Sequence, residues 1–507
     1  MGGSMKSNSV APLADTTPES INRGMTSLLS SGWITPATIF VLATLLRLYK
    51  LNAPSLWLDE THTWWLTRLP WKQLFQALRE IGVHPPLYFA LEKVFTELIG
   101  DKEIGLRMFS VSVDLVSLFV VMGIGRRVGG RKGLLLAGWF WAFHPMIIWY
   151  AREARPYSLA MLFSTATVYA YLVLQDRSSR AMWVLGFFSL ALGMLTHYFV
   201  WLVGFILTLI ALSDFKNKPE IFRRWALLFI LTFIPVALWL IWYFQLPNPS
   251  LGIAWITQPK YQDICFTLWN LLSGFGGAFS VASTLFGILT VVLTVTACFT
   301  KEKKRLVRNF LLIGLFLPLL GIWLVSQRRP VYMDRYFSVL FPFMVLLVSI
   351  GGEQLWNRIR GYRQRLLNNA LTTLFPLLAL TIGLYAGLQI HHNRIYAKEN
   401  WRALSEQLIN AQAFKQPVWL SDPEAITALQ YYLGERYVQL EQTKSAECQE
   451  TCWWILRRPY TATHAFSSTV PSTTHIDEMK IPLGCSVDRH WKDGAGLELW
   501  NVSCEDL

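Results

Sequence analysis

The sequence predicts a polytopic α-helical membrane protein of about eleven transmembrane helices. It also predicts a long first external loop carrying interfacial helices and a small C-terminal external α/β domain. Three observations lead there. Apolar runs recur from position 34 to position 388, several of them near the roughly 20 residues that a helix needs to cross a bilayer. The chain is 53% hydrophobic with 23 Trp and has a mean hydropathy of +0.34, more apolar than the about 45–50% usual in soluble domains. Basic residues gather in every second connection. After Leu388 the composition turns mixed and polar, and four of the six cysteines fall there.

Taken in order, Met1 to Ser4 look like a tag remnant and are left out of the fold reasoning. The stretch to about residue 30 is rich in Ser, Thr and Pro, and reads as a disordered cytoplasmic tail over 1–30. The spans are expected near 34–51, 105–125, 134–150, 156–174, 181–197, 198–213, 225–244, 283–299, 310–326, 336–352 and 370–388. Basic clusters follow the second, fourth, sixth, eighth and tenth. They include Arg126-Arg127, Arg177 with Arg180, Arg223-Arg224, Lys303-Lys304 and Arg358 with Arg360. Cytoplasmic loops carry such an excess, so the N-terminus is expected inside and the 52–107 loop, the 245–282 loop and everything after Leu388 outside. The net charge of +13 is then a topology signal, and no nucleic-acid partner is expected. Three regions result: the tail 1–30, a transmembrane part 31–390 and an external α/β domain 391–507. Asn400–Phe414 has a helical pattern with Trp401, Leu404, Leu408 and Ile409 on one face. Strands are expected at Pro417–Leu420, Arg436–Leu440, Trp453–Leu456 and Leu497–Val502. In an exported domain, Cys448, Cys452, Cys485 and Cys504 favour disulfides over a thiolate metal site.

The 52–107 loop is too long, aromatic and acidic for a simple connector. Asp59-Glu60 lies between Leu56-Trp57-Leu58 and Trp64-Trp65, near His62. Such flanks desolvate a carboxylate, which is one way a general base is tuned; a solvated acidic pair at a helix start is the plainer reading. His84-Pro85-Pro86 opens an apolar helical pattern, Pro85 to Ile99, too short to span and suited to the interface. Arginines on the outer side oppose the positive-inside bias: Arg107, then Arg152 and Arg155 around Glu153, then Arg328, Arg329 and Arg335. Snorkelling or local pairing explains Arg328, Arg329 and Arg152, as it does Arg47 and Lys50. Arg335 suits the phosphate of a lipid held at the outer leaflet, since guanidinium forks match phosphate oxygens. His197 sits at a tight junction between two spans. No His-Glu-x-x-His, Asp-x-Asp or Gly-rich phosphate loop occurs in the outer loops, and neither metal nor cofactor is expected.

The ordered motifs Leu56-Trp57-Leu58-Asp59-Glu60, Val83-His84-Pro85-Pro86-Leu87 and Leu106-Arg107-Met108-Phe109-Ser110 resemble the protein O-mannosyltransferases. They are also similar to the bacterial lipid A aminoarabinose transferases, both C-type membrane glycosyltransferases. The resemblance covers about 50–350. It implies a polyprenyl-phosphate sugar donor, Asp59 as the catalytic acidic position with Glu60 beside it, and Arg107 as the arginine that opens span two. The β-trefoil insertion of the mannosyltransferases is missing, and the C-terminal α/β domain stands in its place, so the acceptor stays open: lipid, glycan or protein. On this reading Asp59 and Glu60 are catalytic, and Arg107, Arg155 and Arg335 bind the donor phosphate. His62, His84, Glu153, Tyr157, His197 and Tyr336 line the donor or acceptor pocket. A lipid phosphate leaves without a general acid, so one base and cationic contacts suffice, with inversion at the sugar carbon. The expected protein is a monomeric hexosyl- or pentosyltransferase of the bacterial inner membrane, surrounded by membrane lipids. The alternative is a lipid-linked substrate transporter or flippase, which needs polar residues along a path through spans nearly free of them.

Overall fold

The computed structural model describes residues 34–247, 256–274, 280–300, 304–360, 365–392, 397–413, 416–420, 422–436, 451–457, 485–493 and 495–504. The expected tail over 1–30, most of the expected strand at Arg436–Leu440, and Cys448 lie outside these residues.

After α1 (Ile34–Leu48) come three helices of the first loop: α2 (Leu58–Arg68), α3 (Trp71–Ile81) and α4 (Leu87–Ile99). Gly82, at φ +67°, ends α3 in a conformation that a Cβ disfavours. The helix expected from Pro85 forms over α4, with its apolar stripe turned outward as an interfacial helix requires. Tyr88, Phe89, Glu92 and Lys93 are buried against the protein, while Leu91, Val94 and Leu98 are 37%, 43% and 79% exposed. Beside a membrane the apolar stripe faces lipid, which reverses the soluble-protein rule.

Next, α5 (Glu103–Phe143) is a single stretch bent at Gly129-Gly130, where Gly130 has φ +57°. The arms cross so closely that a Cβ on Gly125 would stand 2.4 Å from the Gly133 carbonyl oxygen. The bundle continues through α6 (Pro145–Ala151), α7 (Tyr157–Asp176), α8 (Arg180–Thr196), α9 (Trp201–Ser213), α10 (Pro219–Leu231), α11 (Phe233–Phe244), α12 (Tyr261–Ser273), α13 (Val281–Cys298), α14 (Lys304–Leu311), α15 (Leu317–Ser326), α16 (Phe341–Arg360) and α17 (Arg365–His392). Pro145 opens α6 and the Ser280 hydroxyl caps α13.

The expected count of about eleven spans is corrected here. Among the described residues six helices are long and apolar enough to cross a membrane: Glu103–Phe143, Tyr157–Asp176, Pro219–Phe244, Val281–Cys298, Val307–Ser326 and Asp334–Ile359. The runs at 105–125 and 134–150 fall on the two arms that meet at the Gly129-Gly130 kink of Glu103–Phe143, which counts as one helix among the six. Pro36–Leu48, Arg180–Thr196 and Tyr198–Ser213 are shorter apolar helices, below the roughly 20 residues that 30 Å of hydrocarbon demands at 1.5 Å per residue. The 245–282 loop also holds α12, which the sequence reading passed over.

The C-terminal region is a four-stranded sheet in the order β1-β2-β4-β3, with α18 (Trp401–Asn410) and α19 (Ile426–Leu433) packed on it. The strands are β1 (Val418–Leu420), β2 (Thr451–Arg457), β3 (Cys485–Lys492) and β4 (Leu497–Cys504). β1 runs parallel to β2, and β4 is antiparallel to both β2 and β3. Trp401, Leu404 and Leu408 are fully buried with Val418, Leu429, Ile455 and Leu499 in one core, as the helical pattern at Asn400–Phe414 requires. Cys452 is disulfide-bonded.

Candidate active site

Asp59 and Glu60 open α2. Neighbours on a helix point about 100° apart, and the two carboxylates meet different surroundings. Glu60 is fully buried. Its two oxygens accept from Arg107 Nε and Nη2 at 2.8 and 2.7 Å, and one also accepts from Ala154 N at 3.1 Å. The remaining N–H groups of Arg107 donate to the Leu51, Pro54 and Ser55 carbonyls at 2.8, 2.8 and 2.9 Å. All five guanidinium donors are thereby used. Burial alone would raise the Glu60 pKa, but Arg107 and Lys398 outweigh it and hold the carboxyl at about 2.

Asp59 turns toward a cleft and keeps 23% of its side-chain surface. Arg335 Nη1 stands 3.4 Å from Oδ2 and Arg155 Nη2 3.5 Å from it. Burial would raise this carboxyl too, yet Arg155 and Arg335, with His62 and Arg457 further off, hold it well below the usual range. The sequence suggested a desolvated base tuned upward; the two guanidiniums reverse that.

Around this pair stand the other expected residues. Arg155 Nη2 donates to His84 Nε2 at 2.8 Å, so the His84 ring is neutral, and burial followed by Arg155 keeps its pKa well below the ordinary value. His197 lies 5.9 Å from His84, 5.8 Å from Tyr157 and 5.1 Å from Tyr336, centroid to centroid. Its Nδ1 accepts from Phe199 N, and burial with the two arginines lowers its pKa to about 3. Arg335 lies over the Tyr336 ring. It does not pair through its side chain with Asp334, which instead accepts from Arg335 N and from Asn270 Nδ2. His62 is half-buried, and burial lowers its pKa despite Asp59 and Glu424 beside it. Arg155 Nε and the Tyr157 hydroxyl are buried with no hydrogen-bond partner among the described residues. These donors lie in the same cluster as an ionised carboxylate and two cations.

Two expected residues lie elsewhere. Arg107 is spent on Glu60 and the loop carbonyls. Glu153 sits behind the Glu60–Arg107 pair, fully buried, with Lys398 Nζ at 3.2 Å; burial raises its pKa, against Lys398. Lys398 itself was missed. It also stands 3.3 Å from Glu60 Oε2 and lies over the Trp149 and Trp57 rings at 5.1 and 5.8 Å. No local motif marks a lysine just past the last membrane helix. Arg47, expected to snorkel, is instead fully buried, with Nε 2.5 Å from Asp114 Oδ2. Asp114 was overlooked inside an apolar run and is saturated by Arg47 and Trp141 Nε1, so it marks no open polar path. Arg457, on β2, adds positive charge toward Asp59 from a distance while pairing with Glu399 and Asp422 at 2.7 and 2.6 Å. Among the described residues no group of three or more His, Cys, Asp or Glu is placed to hold a metal ion.

The solved structure of apo ArnT from Cupriavidus metallidurans superposes with a TM-score of 0.59 at 13% identity, covering 95% of this chain and 98% of that one. The fold is shared with ArnT. The same protein bound to undecaprenyl phosphate gives a TM-score of 0.58 at 13% identity over 93% and 98% of the two chains. Residues 83–242 match the family model described as dolichyl-phosphate-mannose-protein mannosyltransferase. No curated protein sequence matches. The family match spans 160 of the 507 residues, and the ArnT likeness, at 13% identity, is one of fold.

Proposed function

We propose that this chain is an inverting glycosyltransferase. It moves a hexosyl or pentosyl unit from a polyprenyl-phosphate donor to a hydroxyl of a lipid, glycan or protein, on the outer face of the bacterial inner membrane. It acts as a monomer, with membrane part 31–390 and external domain 391–507. One observation carries the reading: the partly open Asp59 carboxylate lies between Arg155 and Arg335, with Arg155 Nε and the Tyr157 hydroxyl left as unused buried donors.

The charges explain how such a site works. Asp59 and two guanidiniums sum to +1, so an anionic donor phosphate neutralises the site. Drawn to the phosphate, the arginines loosen their grip on Asp59, and its pKa rises toward that of a working base. The acceptor hydroxyl then attacks the anomeric carbon from the face opposite the phosphate. The carbon–oxygen bond to phosphate breaks, the electron pair leaves on the lipid phosphate, and the hydroxyl proton passes to Asp59. His84 and His197, both neutral, add no charge that would compete with the arginines. Glu60 and Arg107 hold the loop that presents Asp59.

The ArnT structure with undecaprenyl phosphate supports a lipid phosphate as the donor's leaving group. The test is purified protein with polyprenyl-phosphate sugars, following release of free lipid phosphate and the anomeric configuration of the product by NMR. Release with inversion is expected. Retention of configuration overturns the mechanism, and absence of any release across a panel of donors overturns the transferase reading.

A further inference from the structure

Behind the Glu60–Arg107 pair, away from Asp59, lies a second cleft of about 30 Å³. Leu51, Pro54, Trp149 and Ile390 wall it, and Arg107, Arg152 and Lys398 line it with charge, Arg107 being already spent on Glu60 and the loop carbonyls. Arg152 is only 8% exposed. Its Nε and Nη2 donate to the Arg47, Tyr49 and Lys50 carbonyls at 3.1, 3.0 and 2.9 Å. It thus caps the end of α1, which is a sufficient structural role for those donors. Nη1 is different. Among the described residues it has no hydrogen-bond partner, and no carboxylate lies within ion-pair distance of the side chain. Arg107 and Arg47 stand close enough to repel it. Glu60 attracts it from beyond ion-pair distance, so this largely buried cation is only partly compensated, and an anion in the cleft would complete the balance.

Three further features say what kind of anion fits. Lys398 places a second cation on the same cleft. The half-buried His391 and the exposed His392 and Lys50 surround Tyr49 at the rim, the rings 5.1 and 6.0 Å from it and the Lys50 ammonium 5.4 Å. The helices that meet here expose apolar side chains below the rim: Leu45 and Leu48 on α1, at 58% and 42%, and Tyr385 and Leu388 on α17, at 45% and 40%. A headgroup in the cleft would therefore have its tails along a lipid-facing flank. We propose that Arg152 and Lys398 form a second phosphate site, separate from the Asp59 cluster, that takes the headgroup phosphate of an outer-leaflet lipid. It stands independently of the transfer chemistry, because it needs only an anion beside Arg152.

The full-length chain, stripped of lipid in detergent, is titrated with dioleoyl phosphatidic acid and read by native mass spectrometry, so that no activity enters the result. Arg152→Gln is expected to lose one bound lipid or to weaken it roughly tenfold or more. Because this variant also touches the α1 cap, Ile390→Trp serves as a second: it fills the cleft and leaves every Arg152 bond in place, and it loses the same lipid. Arg335→Ala keeps that lipid. Competition by millimolar inorganic phosphate separates the two sources of the group. Displacement means that phosphate alone is held; resistance means that the tails contribute; either outcome supports the site. Unchanged lipid stoichiometry and affinity in both Arg152→Gln and Ile390→Trp overturn it.

Discussion

At Asp59 the carboxylate keeps part of its surface and faces two guanidiniums; one residue on, Glu60 has none and is spent on Arg107, Ala154 N and Lys398. Different outcomes follow for near-isosteric changes. Asp59→Asn should bind donor lipid as before and turn over roughly 10²–10⁴-fold more slowly, the range of general base catalysis, in a single-turnover assay. Glu60→Gln should fail through the fold. It leaves buried Arg107 without its counter-ion, at a cost of about 3–5 kcal/mol, and should show as a lower inactivation temperature. If Asp59→Asn is as fast as wild type, the base lies elsewhere. Arg335→Ala should weaken donor binding and slow transfer together, since a phosphate contact acts in ground and transition states alike. The pH dependence follows from Glu60. A folded pKa of about 2 against an ordinary 4.5 means that its contribution to stability is complete above about pH 4.5 and is lost as pH falls toward 2. Near-UV circular dichroism should show the Trp-rich loop loosening across that window and holding steady from pH 5 to 7.

The elements around α2 show what a sequence carries and what it hides. The helices at 87–99 and 401–410 were legible because their apolar spacing is strong and Pro or Asn marks their starts. The outward apolar stripe of α4 was legible too, because a run too short to span and rich in apolar residues suits the interface. β3 was hidden by its charged residues Asp488, Arg489 and Lys492, and by a bulge between Arg489 and Trp491 that breaks the alternation. The span count overshot because an apolar run signals burial in something greasy, and a 15-residue α1 looks like a longer span until its end is located. The candidate cluster was legible in its members, Asp59, Arg155, Arg335, His84, His197, Tyr157 and Tyr336, but the place of Arg107 was not. Composition cannot tell a guanidinium that awaits phosphate from one that has used all its donors on carbonyls. Lys398, on the connection from α17 to α18, yields a test at this scale. Lys398→Met should lower kcat with little change in donor KM, because it shifts Glu60 and the loop behind Asp59 without touching the donor. Lys398→Arg should restore much of the rate, and equal loss in both variants would assign the site to size and not charge.

For the whole molecule, the arrangement rests on two bodies that share one seam. The C-terminal region grips the first loop through several contacts. Ser55 Oγ donates to the Glu399 carbonyl and accepts from Trp401 N. The Tyr432 hydroxyl accepts from Leu56 N and donates to Glu103, which also pairs with Arg402. The Trp64 and Tyr431 rings meet edge to face at 5.0 Å. Orientation is testable at this scale. Single cysteines at Ser178 or Asn217 should resist an impermeant thiol reagent in intact cells, while Glu406→Cys should label. Labelling at Asn217 with protection at Glu406 would invert the assignment and move the Asp59 cleft to the other side of the membrane.

The ammonium that completes the Glu60 pair arrives 338 residues after it along the chain. During synthesis the early helices are therefore made, inserted and crowded among lipids long before their last counter-ion exists. Until the final segment has settled onto the loop, Glu60 has only Arg107 as counter-ion and the Asp59 helix lacks the wall that the C-terminal region supplies. Assembly order thus acts as a safeguard: a half-made chain has no finished cleft around Asp59.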